Sequence, residues 1–173
     1  MSETVYLGLG SNEGDRERQL VSALRALTGI DAVSVLRCSS LYDSAPVGPP
    51  QPRYLNAAVA LECDLPPLRL LAILQHIEQE AGRKRAERWG PRRLDLDLLL
   101  WEGQLVAEPQ LQIPHLELHK RRFALEPLCE LAPGAVHPVM KSTVKELLAR
   151  LGPQDVHRLE ATQWPGVTPA PEP

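Results

Sequence analysis

Residues Ala32 to Glu62 read AVSVLRCSSLYDSAPVGPPQPRYLNAAVALE, two β-rich runs separated by a proline-laden loop. Ala32–Tyr42 places Val33 and Val35 on one face of a strand, and Tyr54–Glu62 reads as the next strand. Between them, Ser44–Pro52 holds too much proline for regular structure. Its restricted backbone can present N–H and C=O groups to a ligand with less ordering cost. The two strands are neighbours in chain order, and that adjacency sets the topology.

A helical pattern lies on each side. Upstream, Asp15 is placed to cap a helix whose Leu20, Leu24 and Leu27 form an i, i+4, i+7 stripe closing at Gly29. Downstream, Pro66 and Pro67 open a helix with Leu70, Leu71, Leu74, Ile77 and Ala81 on its apolar face, ended by Gly82. A short first strand covers Thr4–Leu9 and a last one follows Gly90-Pro91. Gly8-x-Gly10 lacks the fuller dinucleotide fingerprint and reads as a turn out of the first strand.

The order strand, helix, strand, strand, helix, strand predicts an α+β fold, a ferredoxin-like α/β sandwich with an antiparallel sheet and C-terminal additions. Both helices are expected on one sheet face, leaving the other open to ligands. In the additions, Thr143-x-x-Glu146 is a capping-box pattern and Gly152-Pro153 a stop. The 173 residues are expected to form one domain over 1–164, with a disordered tail at 165–173.

Chemistry concentrates in Arg83–Trp101, RKRAERWGPRRLDLDLLLW, which holds six of the chain's nineteen Lys and Arg residues. In the strand at its end, Leu94, Leu96 and Leu98 face one way and Asp95, Asp97 and Leu99 the other. Two carboxylates on one face repel unless a cation sits between them, and Mg²⁺ takes such ligands together with substrate phosphates. The arginines before them offer planar forks of donors to phosphate oxygens. Taken singly, each feature also fits a plain half-buried strand or a solvated loop; side by side they point to a metal and phosphate site.

Other residues stay open between two readings. Asn56 is either a polar strand-end residue or a reader of a heterocycle's edge. Glu78, at the margin of the second helix's apolar face, is either a structural ion pair or a ligand contact. His115, beside Pro114, is either a hydrogen-bonded loop residue or a phosphate contact. Phe123, the chain's one phenylalanine, reads as core.

The formal charge of −3 argues against a generally cationic, sequence-independent nucleic-acid binder. Three widely spaced cysteines suit a reducing compartment, and no stretch has the length of a membrane span or the pattern of a leader. The chain is expected to be a cytoplasmic monomer. A single-strand-binding module or a two-metal nuclease would use the same elements, but few aromatics are available to stack bases.

The run Arg83-x-Arg85-x-x-Arg88-Trp89-Gly90-Pro91-Arg92-x-Leu94-Asp95-Leu96-Asp97 resembles the signature of the 6-hydroxymethyl-7,8-dihydropterin pyrophosphokinases of folate biosynthesis. The likeness extends through Leu7–Asn12, Tyr54–Ala58, Gln75-x-x-Glu78, Pro114-His115 and Arg121-x-Phe123. It implies transfer of the β,γ-diphosphate of ATP to the pterin hydroxymethyl group, with AMP released. Two Mg²⁺ would be held by Asp95 and Asp97, and Arg83 and Arg92 would close on the phosphates. Arg85, Arg88 and Trp89 would belong to a mobile loop covering the site, and Gln75, Glu78, Leu98, His115 and Arg121 to the ATP pocket. Tyr54 and Phe123 would sandwich the pterin; Asn56, Ser44, the Val47 backbone and Asp95 would hold its polar groups. Leu116 stands where the family often has an aromatic residue or proline, and Ser44 where threonine is frequent.

Overall fold

The computed structural model describes residues 3–82 and 93–165. The candidates Arg83, Arg85, Arg88, Trp89 and Arg92, and the tail at 166–173, lie outside the described residues.

The chain runs β1 (Glu3–Ser11), α1 (Arg16–Thr28), β2 (Val33–Cys38), β3 (Leu41–Ser44), β4 (Tyr54–Cys63), α2 (Pro67–Glu80) and β5 (Asp95–Trp101). In the antiparallel sheet β1 lies between β4 and β5, while β2 and β3 both pair with β4. That is the ferredoxin-like arrangement. α1 starts as the sequence implies, with the Asp15 side chain accepting from the Arg18 N–H at 3.2 Å. Leu20, Leu27, Leu70 and Leu74 of the two helices are fully buried against Leu7, Leu9, Val59, Leu96 and Leu98 of the sheet. Each such leucine contributes roughly 1.5–3 kcal/mol of burial.

Three expectations are corrected. The single strand Ala32–Tyr42 is two, because Ser39 leaves the ladder. Its N–H donates to the Ala58 carbonyl, and its hydroxyl accepts the Ala58 N–H, both at 2.8 Å. Gly8 and Gly10 are not a turn; they lie inside β1 and pair with both neighbouring strands. A Cβ on Gly8 would come within 3.3 Å of Leu99 Cδ1, so this crossing of strands favours the smallest residue.

The third concerns the sheet face expected to be open, which is half covered. A hairpin of β6 (Val106–Glu108) and β7 (Leu111–Ile113) leads into a 3-10 turn at Leu118–Lys120 and α3 (Arg122–Leu131). After a second hairpin, β8 (Val136–His137) and β9 (Ser142–Thr143), comes α4 (Val144–Arg150), with the Thr143–Glu146 capping box formed in both directions. Leu125, Leu128, Leu131, Val144 and Leu147 cover Tyr6, Ala58, Ala60 and Leu100. The period of Leu125, Leu128 and Leu131 is helical, and Pro127 within it hides the signal. Among the described residues, these elements leave the sheet end near Gly8 and Asp97 uncovered.

The chain then returns to the sheet edge. β10 (Val156–Leu159) pairs antiparallel with β3, and Trp164 joins the core that α1 and α2 form with the sheet, its indole N–H donating to the Ser39 carbonyl at 2.8 Å. No described helix is long and apolar enough to cross a membrane. Cys38, Cys63 and Cys129 are free thiols, and burial raises the pKa of each, Cys38 to about 11.

His137 gives the second hairpin a pH dependence. Its Nδ1 accepts from the Val139 and Met140 N–H groups at 3.3 and 3.0 Å, and His119 meets its ring edge-on at 6.4 Å. Burial, then His119, push its pKa below 6.5. The fold therefore binds the neutral ring. Its stabilising contribution is full above 6.5 and is lost as pH falls through the depressed folded value. Urea midpoints taken at about pH 7 and about pH 5 are expected to differ less in His137→Gln than in the parent chain. An equal pH difference in both would refute the assignment.

Candidate active site

The register of three strands builds the floor of the site. Gly10 on β1 stands opposite Asn56 on β4 and Asp95 on β5, and Gly8 stands opposite Ala58 and Asp97. Across the sheet this gives one row, Asn56–Gly10–Asp95, and beside it a second, Ala58–Gly8–Asp97. Because side chains two apart share a face, both aspartates rise from the uncovered end of the sheet with bare glycine beside them. A Cβ on Gly10 would lie 3.4 Å from Asn56 Oδ1, 3.5 Å from Tyr54 Cδ1 and 3.9 Å from Asp95 Cβ. The missing side chain leaves space between an amide and a carboxylate. The alternation Leu7-Gly8-Leu9-Gly10 has the same period as Leu94-Asp95-Leu96-Asp97, and that is the signal the turn reading missed.

This floor opens into a cavity of about 1140 Å³. Ser44, Val47, Tyr54, Asn56, Asp95 and Asp97 line it, and so do Leu98, His115, Arg121 and Phe123. These candidates from distant parts of the chain are thus brought together. Glu78 and Gln75 are not on its wall. Gln75 is exposed on α2, whereas Glu78 is 3% exposed and accepts the Leu96 N–H at 3.1 Å, beneath the aspartates. Leu116, at the rim, is 64% exposed.

One side of the cavity is built by β3, β4 and the loop after Ser44. The Asn56 amide donates to Ser44 Oγ at 2.7 Å, and both residues are buried. Its oxygen and second amide hydrogen carry no further bond among the described residues. The proline-rich loop is tied down at its base. Asn12 Nδ2 donates to Gln51 Oε1 and the Pro52 carbonyl, each at 2.9 Å, and Arg16 donates to the Arg53 carbonyl at 3.1 Å. Asp43, on β3, accepts from Arg16 at 3.0 Å and from Arg53 Nε. Burial opposes ionisation there, but the hydrogen bonds from Arg53 and Arg16 outweigh it and hold Asp43 below the usual carboxylate range.

The other side comes from the chain after β7. A bulge in β5 at Leu99 turns its carbonyl to accept the His115 N–H at 3.0 Å, which seats His115 beside the aspartate strand. His115 Nδ1 accepts the Glu117 N–H at 3.1 Å, so the neutral ring carries its hydrogen on Nε2. Burial and then Arg121 lower its pKa and keep it neutral. Arg121 Cζ lies 5.5 Å from the centre of the Phe123 ring. Phe123 is therefore half-buried at the cavity wall, not a closed core residue as its apolar type implies. α3 is held to the opposite side by Glu130, which accepts from the Ser40 N–H at 2.8 Å and from the Tyr42 hydroxyl.

The fold is thus an α+β ferredoxin-like sandwich whose cavity combines an acidic floor, a hydrogen-bonding wall and a cationic, aromatic wall. The model of the 7,8-dihydro-6-hydroxymethylpterin-pyrophosphokinase family matches residues 6–133, and the chain belongs to that family. The 2-amino-4-hydroxy-6-hydroxymethyldihydropteridine pyrophosphokinase of Haemophilus influenzae is 44% identical over 136 residues, 78% of this chain and 85% of the relative. That of Pseudomonas aeruginosa is 43% identical over 160 residues, 92% and 98% of the two chains. A crystal structure of Plasmodium falciparum HPPK-DHPS superposes with a TM-score of 0.70 at 15% identity, covering 87% of this chain and 45% of that one. The last likeness concerns the fold.

Proposed function

We propose that this chain transfers the β,γ-diphosphate of ATP to the hydroxymethyl group of 6-hydroxymethyl-7,8-dihydropterin, releasing AMP, in folate biosynthesis. The observation that carries the reading is the sheet floor, where Asp95 stands across bare Gly10 from the Ser44-bonded Asn56 and Asp97 rises in the next row beside Gly8, in a chain of this family.

The hydroxymethyl oxygen bonds to the β-phosphorus as the bond from that phosphorus to the α–β bridging oxygen breaks. AMP leaves with the electron pair, and the hydroxyl proton is released. Tyr54 and Phe123 offer faces for the pterin ring, and Asn56 and Ser44 supply polar groups at the cavity wall for its amide and amine edge. Asp95, in the row of Gly10 and Asn56, is placed to approach the hydroxymethyl group. Arg121 and the Nε2–H of His115 face the nucleotide and donate to phosphate oxygens.

Two hard carboxylates on one strand face suit Mg²⁺, which completes its shell with phosphate and water, so Asp95 and Asp97 would hold two such ions. When bound, these would align nucleophile and leaving group and offset charge developing on the phosphates. Arg83 and Arg92, closing on the phosphates, and Arg85, Arg88 and Trp89, in the loop that would cover the site and exclude water, complete the proposal.

The test is a product assay with Mg²⁺, ATP and the pterin, omitting each component in turn. AMP is expected only in the complete mixture. Formation of ADP, or nucleotide release indifferent to the pterin, would sink the proposal.

A further inference from the structure

Two consecutive residues, Gln154 and Asp155, touch both walls of the cavity, and both lie beyond residues 6–133 that the family model matches. Gln154 Nε2 donates to the Lys120 carbonyl at 2.9 Å, and its Oε1 accepts the Arg122 N–H at 3.0 Å. One amide thus bridges the peptide groups on either side of Arg121. α3 begins at Arg122, and its N-cap, Arg121, provides no side-chain cap. The first N–H groups of a helix have no partner within it, and Gln154 supplies one for Arg122 from outside the helix.

The next residue holds the opposite wall. The Asp155 carbonyl accepts the Ala45 N–H at 3.0 Å, beside Ser44, and its carboxylate accepts both Nη groups of Arg53 at 2.8 Å. Arg53 in turn pairs with Asp43 on β3. The Arg53 hydrogen bonds hold Asp155 down at about 2, so the pair is ionised throughout the working range.

We propose that Gln154–Asp155 is a positioning clasp for the reaction, in which Gln154 sets the backbone from which Arg121 and Phe123 reach the cavity. The inference rests on the function proposed above. Gln154 is exposed, so water replaces its lost bonds and the fold loses little when it is changed. The reaction is less tolerant, because a small displacement of a positioning group can cost much more in rate than in stability.

Gln154→Met keeps length and removes both hydrogen bonds. It is expected to lower kcat/KM about tenfold, to raise KM for both substrates, and to leave the melting temperature close to that of the parent chain. Amide exchange at Arg122, followed by NMR without substrates, is expected to accelerate. Gln154→Glu keeps an acceptor for that N–H and should restore its protection and part of the rate. Unchanged kcat/KM in Gln154→Met, a loss matched by an equal loss of stability, or no recovery in Gln154→Glu would overturn the clasp. Absence of pterin-dependent turnover in the parent chain would instead break the functional reading. Arg122 exchange and calorimetric MgATP binding then decide the clasp alone, since unchanged values in Gln154→Met overturn it and faster exchange with weaker binding supports it.

Discussion

Asp97→Ala is expected to reduce turnover by a factor on the order of 10³, about 4 kcal/mol of transition-state stabilisation, while the far-UV circular dichroism stays that of the parent chain. The side chain rises from β5 in the Gly8 row, on the sheet face that α3 and α4 leave uncovered. What holds β5 in place is elsewhere: the ladder to β1, and Leu94, Leu96 and Leu98 in the core beneath α1 and α2. Removing one carboxylate also relieves repulsion with Asp95. If the aspartates hold Mg²⁺ as proposed, catalysis has much to lose, because losing one carboxylate would weaken the cation that offsets charge gathering on the transferring diphosphate. Asp95→Ala is expected to lose a comparable factor, and the double variant little more, since the two act as a unit. Asp97→Asn separates charge from shape: it keeps the outline and should be nearly as inactive as alanine. Loss of the folded circular-dichroism signal in Asp97→Ala would show that the pair is structural. Turnover above one-hundredth of the parent would remove Asp97 from the reaction.

The alternation of strands and helices up to β5 was legible because most elements carry their own period, and no helical pattern interrupts residues 32–62, although the break at Ser39 was not. Residues on the aspartate strand could be sorted by face for the same reason. What resisted reading depends on partners that the sequence does not display. Gly8 and Gly10 look like a turn until register sets them opposite Asp97 and Asp95. Ser39 looks like any strand residue until its hydroxyl takes the Ala58 N–H. β10 is a short, mostly exposed strand with no alternation to mark it, and only pairing with β3 makes it one. Phe123 shows a further limit, because residue type gives apolar character but not which surface remains uncovered. Without α3 in view, a lone phenylalanine reads as core.

Glu78 belongs with these, and its substitution carries the largest stability effect we expect. Among the described residues β5 ends the sheet, with β1 on one side, and the Leu96 N–H on its outer edge donates to Glu78 Oε2 at 3.1 Å. A side chain of α2 thus does for the edge what another strand would do. Glu78→Ala leaves that buried N–H without its acceptor and opens a void under Leu96, and is expected to cost about 3 kcal/mol in urea unfolding. Glu78→Gln presents an oxygen in the same place and should keep the Leu96 hydrogen bond. Leu96 lies between Asp95 and Asp97, so the loss also loosens the floor of the site. If Glu78 acts through the strand, kcat falls in the alanine variant, Leu96 amide exchange accelerates, and glutamine restores both. If it touches the nucleotide instead, KM for ATP rises while Leu96 exchange stays unchanged. An alanine variant within about 0.5 kcal/mol of the parent would show that the sheet edge does not depend on this carboxylate.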